Sequence, residues 1–355
     1  MKILHVSNFG DRHNGRLYWN QCFKISNGFV RNGHNVYNFS DRDKSRSSIL
    51  NKFNQNRSVQ KDLLETIKNF DPDLIVLGHA DRVNVNTLEI IRNKNKEIRI
   101  IEWNVDNLHL DNTKNKLQKR SLYLDGIFST TADEKISECL TNNFISFFPN
   151  IVDNTIENKK IFEIKQHEKD VFFALSHGVG TGKLRTKNSN KESSDPRVQF
   201  ITNLTKNLPD IKFNLFGMMN IQPVWANDFL NEISKCYMGI CLQRKPLLKY
   251  GLSDRIAQYL GNGLMVFIQN ETQYYDILKD KEEAVYFDDV DDLTSKILFY
   301  RDNQDKAKLI AKNGHIKIHS TCNEKIVTKY MLDCLAGKKN KDLSSEYNWP
   351  INIYR

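Results

Sequence analysis

The sequence predicts an α/β protein of two tandem Rossmann-like, doubly wound domains facing an interdomain cleft. Its 355 residues exceed what one hydrophobic core usually holds. Apolar runs of strand length alternate with segments whose apolar residues recur every three or four positions. That alternation pauses at Pro149 and restarts near Val171, so one α/β unit follows another. The expected boundaries are 1–150, 151–336 and a tail at 337–355 placed to pack back on the first domain.

Residues 2–7 alternate into a first strand and lack the apolar core of a signal peptide. A polar turn with Gly10 and Gly15 leads to a helix over 16–31, with Tyr18, Cys22, Ile25 and Phe29 along one face. Gly33 ends it before a strand at 34–39. Residues 41–58 are polar, a loop with a short helix. A helix at 59–69 stops at Asp71-Pro72, because the residue before a proline disfavours helical dihedrals. Strands then fall at 74–77, 98–103, 126–129 and 144–148, with helices at 85–92 and 132–140. In the second half, strands at 171–175, 211–216, 237–242, 264–268 and 284–287 alternate with helices at 197–207, 226–234 and 253–260. From 290 to 336 the pattern is nearly all helical. The tail is polar and then aromatic, with Tyr347, Trp349 and Tyr354.

A net charge of +9 favours an anionic partner: nucleic acid, lipid headgroups or phosphorylated substrates. The charge is scattered, as on ordinary solvated surface, and no basic stripe is interleaved with aromatics, so nucleic acid is not expected. No apolar run approaches about 18 residues, so no transmembrane helix is expected. The six cysteines show no C-x-x-C spacing and no paired histidine cluster. Zinc is therefore not expected, and reduced cytosolic thiols are the simplest account. A cytoplasmic protein follows, with peripheral contact at the inner face of an anionic membrane as a weaker expectation.

Chemistry in open α/β sheets belongs at strand C-terminal ends. In the second domain, residues 250–270 read as a polar turn, a helix opening with Ser253 as N-cap, a stop at Gly261 and Gly263, and a buried strand. Asp254, Arg255 and Gln258 lie at the start of that helix, where free amides and a partial positive charge suit a phosphate. A solvated polar face is the plainer alternative. HGVGTGK at 177–183 offers Gly180 and Gly182 for close backbone approach, with Lys183 and Arg185 for charge. It is no nucleotide-hydrolysing P-loop, since His177 and Leu184 stand where that motif needs Gly and Ser or Thr. An anion cradle and a plain turn both remain open. Arg244, Lys245 and Lys249 follow the strand at 237–242. In the first domain, Asp11, Arg12 and His13 occupy the first turn, His79 follows the strand at 74–77, and Asp106 follows the strand at 98–103. His79 and Asp106 are catalytic candidates, with loop hydrogen bonding as the plainer role for each.

FVRNGHNV at 29–36, FPNIVD at 148–153 and SDRIAQYLGNGLMVFI at 253–268 resemble, in order, three motifs of the group 1 glycosyltransferases of the GT-B fold. WNVD at 103–106 is similar to the CgeB-like branch. The resemblance spans residues 1 to about 335. It implies a nucleotide-sugar donor held mainly by the second domain and a glycan or lipid-linked acceptor held mainly by the first. It implies no cofactor and no metal, because the helix dipole and basic side chains stabilise the leaving diphosphate. Arg255 and Lys183 would act as a pair on that diphosphate. Gln258 falls where the family commonly has the glutamate that binds the ribose, and the partner glutamate would fall on Tyr250. The expected function is transfer of a sugar to a cell-surface glycan or related acceptor. The missing carboxylates motivate an alternative, a nucleotide-sugar or glycan binding protein of the same fold without turnover. A dinucleotide-dependent oxidoreductase would need G-x-G-x-x-G after Ser7, where the chain has FGDRHNG.

Overall fold

A computed structural model describes residues 1–46, 56–108, 110–139, 144–177 and 194–354. The chain divides into two compact units, one comprising Met1–Ile151 with Asn323–Arg355 and the other Val152–Cys322. Among the described residues, the long strand sets form one sheet of seven strands and one of five. This is the two-Rossmann-domain plan of the GT-B fold.

The first unit opens with β1 (Lys2–Ser7), α1 (Gln21–Arg31), β2 (Asn35–Ser40), α2 (Asp41–Arg46) and α3 (Arg57–Phe70). It continues through β3 (Leu74–Gly78), α4 (Val85–Lys94), β4 (Arg99–Asn104), α5 (Asp111–Ser121), β5 (Gly126–Ser129) and β6 (Phe144–Phe147). The central strands read almost wholly apolar, as strands covered on both faces must. Ile3, Leu4, Val6, Val76, Leu77 and Ile100 have no exposed surface. Each contributes about 1.5–3 kcal/mol of transfer free energy.

Two expectations of secondary structure need correction here. The first helix begins at Gln21, not near residue 16. Gly10, Asn14 and Gly15 adopt positive φ and fold the intervening residues into tight turns instead. Residues 134–139 form a 3-10 segment rather than an α-helix. Helix α5 carries so few apolar residues that periodicity does not announce it; Leu117 is its only fully buried aliphatic side chain.

The second unit contains β7 (Val171–Ala174), α6 (Pro196–Asn207), β8 (Phe213–Phe216), α7 (Ala226–Ile233), β9 (Met238–Cys241), α8 (Arg255–Gly261) and β10 (Met265–Gln269). After β11 (Val285–Phe287), α9 (Val290–Asp302) and α10 (Gln304–Thr321) complete it. The order β11-β10-β9-β7-β8 is parallel throughout, with β9 at its centre. Its core gathers Phe173, Ile240, Phe267, Ile297 and Ile310. Cys236, Cys241 and Cys322 are buried free thiols.

Helix α11 (Glu324–Leu335) belongs to the first unit and not to the 151–336 segment. The reason is local. Gly28 of α1 lets the two helices approach so closely that a Cβ there would lie 2.1 Å from the Glu324 carbonyl oxygen. Arg31 pairs with Glu324 at 2.5 Å, Asn32 donates to the Lys325 carbonyl at 2.8 Å, and Tyr330 meets Ser146 of β6 at 2.6 Å. The tail forms α12 (Asn340–Glu346) and then β12 (Ile353–Tyr354), which pairs antiparallel with β6 and makes it an inner strand. Tyr347 and Trp349 pack on Tyr330 at centroid distances of 4.9 and 5.2 Å. Among the described residues, no helix is long and apolar enough to cross a membrane.

Candidate active site

In the second unit the site is organised by Asp195. A cap residue followed by proline is a strong helix start, because the carboxylate satisfies an orphan amide and proline has no amide to satisfy. Asp195 Oδ1 accordingly accepts from the Arg197 amide at 3.1 Å. The same carboxylate takes Arg197 Nη2 at 2.6 Å, His177 Nε2 at 2.9 Å and Arg244 Nη2 at 3.4 Å. Burial alone would raise the Asp195 pKa, but the hydrogen bonds from Arg197 and His177 outweigh it and hold the carboxyl well below the ordinary range. Beside this hub lies a cavity of about 460 Å³ lined by Ser176, His177, Ser194, Asp195, Pro196, Arg244 and Lys245. Arg244 and Lys245 follow β9 and are exposed. With Arg197, three fixed positive charges meet the single charge of Asp195, so the region favours an anion.

Arg255 opens α8. Its Nη1 donates to the Leu242 carbonyl at 3.1 Å, and its guanidinium carbon lies 5.5 Å from the Phe173 ring centroid. Burial lowers its pKa from the usual arginine value, and the charges of Arg197 and Asp195 act on it too. Ser253 is not the cap that the sequence suggests. The N-cap is Asp254, which already has helical dihedrals, while Ser253 Oγ accepts from Gln243 Nε2 at 3.2 Å. Gln258 is buried on α8. Lys249 Nζ lies 5.0 Å from the Tyr250 ring centroid. Tyr250 is itself buried, with its hydroxyl 2.5 Å from Asp276 Oδ2 and its amide donating to the Thr272 carbonyl at 2.8 Å. Gly180, Gly182, Lys183 and Arg185 lie outside the described residues.

In the first unit, His79 immediately follows β3 with φ of 50°, and Asp106 lies two residues beyond β4. Because β3 and β4 are parallel neighbours, these ends come together, and His79 Nδ1 stands 3.3 Å from Asp106 Oδ2. The histidine contact, outweighing burial, lowers the Asp106 pKa. Around the pair, Asp81 accepts from Arg42 and meets Lys116 at 3.4 Å. Asp11 and Arg12 are turned toward another partner, Asp43, through the Asp11 amide at 2.9 Å and Arg12 Nε at 3.7 Å.

Residues 196–330 match the family described as "Glycosyl transferase-like". HepE of Anabaena, solved with UDP, is similar in fold at 10% identity and TM-score 0.57, with 95% of this chain and 100% of that one covered. A Rickettsia africae glycosyltransferase gives 12% identity, TM-score 0.57, and coverage of 95% and 98%. Sucrose-phosphate synthase of Thermosynechococcus elongatus gives 11%, 0.56, and 95% and 98%. No curated protein sequence matches significantly. The chain has the GT-B fold, and its residues 196–330 are glycosyl transferase-like.

Sequence reasoning overlooked two of the most connected residues at this site, Asp195 and Arg197. The signal is Asp195-Pro196, a cap and a first-turn proline just ahead of the helix expected at 197–207. His177 was seen as a departure from a P-loop, whereas in the fold it is a partner of Asp195.

Proposed function

We propose that the protein is a glycosyltransferase that moves a glycosyl group from a UDP-sugar to a hydroxyl of a cell-surface glycan or lipid-linked saccharide. In this reading Val152–Cys322 takes the donor and the first unit takes the acceptor. The cavity beside Asp195 carries the donor half. A diphosphate would answer the positive charge around Arg244 and Lys245 that the single Asp195 carboxylate leaves unbalanced, and Asp195 holds Arg197 and His177 beside it. Arg255, and Lys183 by sequence, would add positive charge to the leaving group. Uridine is favoured because the similar HepE is described in complexes with UDP and with UDP-glucose.

His79 and Asp106 then serve as base and orienting carboxylate. Asp106 accepts from Nδ1–H, which leaves Nε2 with its lone pair. The acceptor hydroxyl gives its proton to Nε2 as its oxygen bonds to the anomeric carbon. The bond from that carbon to the β-phosphate oxygen breaks, and UDP departs with the electron pair. Displacement of this kind inverts the anomeric configuration. The +9 charge supports work in the cytoplasm beside an anionic membrane surface.

One observation favours a second reading, a binding protein without turnover. Tyr250 and Gln258 stand where the resemblance places two glutamates, and the Tyr250 hydroxyl is committed to Asp276. A thermal-shift series with UDP-, GDP-, ADP- and CMP-sugars, followed by assay of UDP release, separates the two. Stabilisation by UDP-sugars with slow release of UDP is expected, since a ligand of the native state raises its stability. Stabilisation without any release favours the binding protein, and no response to UDP-sugars overturns the donor assignment.

A further inference from the structure

We propose that His5, buried behind the sheet's active edge, is a positioning residue that holds Trp103 and through it sets the orientation of His79. This rests on the reading of His79 and Asp106 as the proton-accepting pair.

Trp103 of β4 lies in register with Gly78 of β3, and β3 separates β4 from β1. A Cβ at Gly78 would fall 1.9 Å from the indole, so the ring crosses β3 over a residue with no side chain. On the far side, Trp103 Nε1 donates to His5 Nε2 of β1 at 3.0 Å. An indole N–H is only a donor, so His5 Nε2 must carry a lone pair and Nδ1 must carry the proton. Nδ1 lies 2.8 Å from Ser26 Oγ, whose own proton goes to Asn38 Oδ1 at 2.8 Å. The relay from Trp103 through His5 and Ser26 to Asn38 therefore runs in one direction. Burial supports it by lowering the His5 pKa to about 3, so the imidazole stays neutral at any working pH.

The other end of the relay is the candidate base. The rings of Trp103 and His79 meet edge to face, with centroids 5.3 Å apart at 85°. His5, Trp103, Ser26 and Asn104 are buried, so these contacts have little freedom. Three residues after Trp103 comes Asp106, whose carbonyl accepts from Asn104 Nδ2 at 2.8 Å. Trp103 thus backs the imidazole while its own strand delivers the carboxylate. Without the His5 acceptor the indole N–H would be buried unpaired, a state the ring escapes by rotating. Such rotation would remove the wall behind His79 and loosen its contact with Asp106. Arg42, Asp81 and Lys116 also act electrostatically on the pair and are unchanged by substitutions at His5.

The test is two-bond ¹H–¹⁵N correlation spectroscopy of the full chain with ¹⁵N-labelled histidine, with His79 assigned through His79→Gln. In the unmodified protein at pH 8, His79 should show the Nδ1–H tautomer; an Nε2–H tautomer would sink the base assignment itself. In His5→Leu, folded by circular dichroism, His79 should move toward the tautomer mixture of free imidazole, whereas His5→Gln, whose side-chain oxygen can accept from the indole, should restore it. UDP-glucose hydrolysis should follow: kcat down about 10–10²-fold in His5→Leu, with KM for UDP-glucose unchanged. If His5→Leu does not fold, His5→Phe, which fills the site with a ring that cannot accept from the indole, carries the same comparison. An Nδ1–H tautomer in the unmodified protein that persists in the folded variant overturns the relay while leaving the base assignment standing.

Discussion

Arg244 Nη2 stands 3.4 Å from Asp195 Oδ2, yet the arginine side chain is 61% exposed and the aspartate 2%. The carboxylate is built into the fold, while the guanidinium only leans on it and is available to a ligand. Replacing Arg244 with alanine should therefore change stability by less than about 0.5 kcal/mol, as at other surface positions. Loss of a charge-assisted bond of about 1.5–3 kcal/mol should weaken UDP binding roughly 10–100-fold. Isothermal titration with UDP reads the affinity and a thermal melt reads the stability.

Asp195→Asn should destabilise the chain in a pH-dependent way. The folded pKa is depressed, so the unfolded state binds more protons and ionisation of Asp195 adds stability above its unfolded pKa near about 3.9. That contribution is lost as pH falls from there toward the lower folded value. The difference in melting temperature between the two proteins should thus be widest from about pH 5 upward and narrow below about pH 4. A constant gap across that range would show that the contacts with Arg197 and His177 contribute nothing.

Restoring the family's first glutamate should fail at Tyr250. The side chain is buried, and its hydroxyl lies 2.5 Å from the Asp276 carboxylate. Tyr250→Glu would set two carboxylates side by side in a region of low dielectric and destabilise the fold by several kcal/mol, on the order of 3–5. Tyr250→Phe should cost only about 1–3 kcal/mol, with UDP affinity unchanged. Urea denaturation of both variants provides the measurement.

Arg255 combines support and chemistry. Its bond to the Leu242 carbonyl predicts that Arg255→Ala loses about 1–3 kcal/mol. Its place near Asp195 and Arg197 predicts in addition a fall in kcat for UDP-glucose hydrolysis of about 10²-fold, measured where the variant is fully folded. Activity that declines only in step with the folded fraction would leave Arg255 a purely structural residue.

The sequence by itself determined the α/β class, the restart of the pattern after Pro149, nearly every strand, and the placing of His79 and Asp106 beyond two strand ends. These are local properties: apolar runs, periodicity and proline or glycine punctuation act within a few residues. Only tertiary structure decided that α11 joins the first unit, because Gly28 admits a neighbouring backbone 296 positions away in the chain, at Glu324. Only tertiary structure could make Asp195, a residue before a helix-starting proline, the hub of three basic side chains, or bring His5, Trp103 and His79 into one chain of contacts. Such arrangements depend on strand order and register, here β4-β3-β1, and register is fixed by burial of the whole sheet rather than by any segment of it.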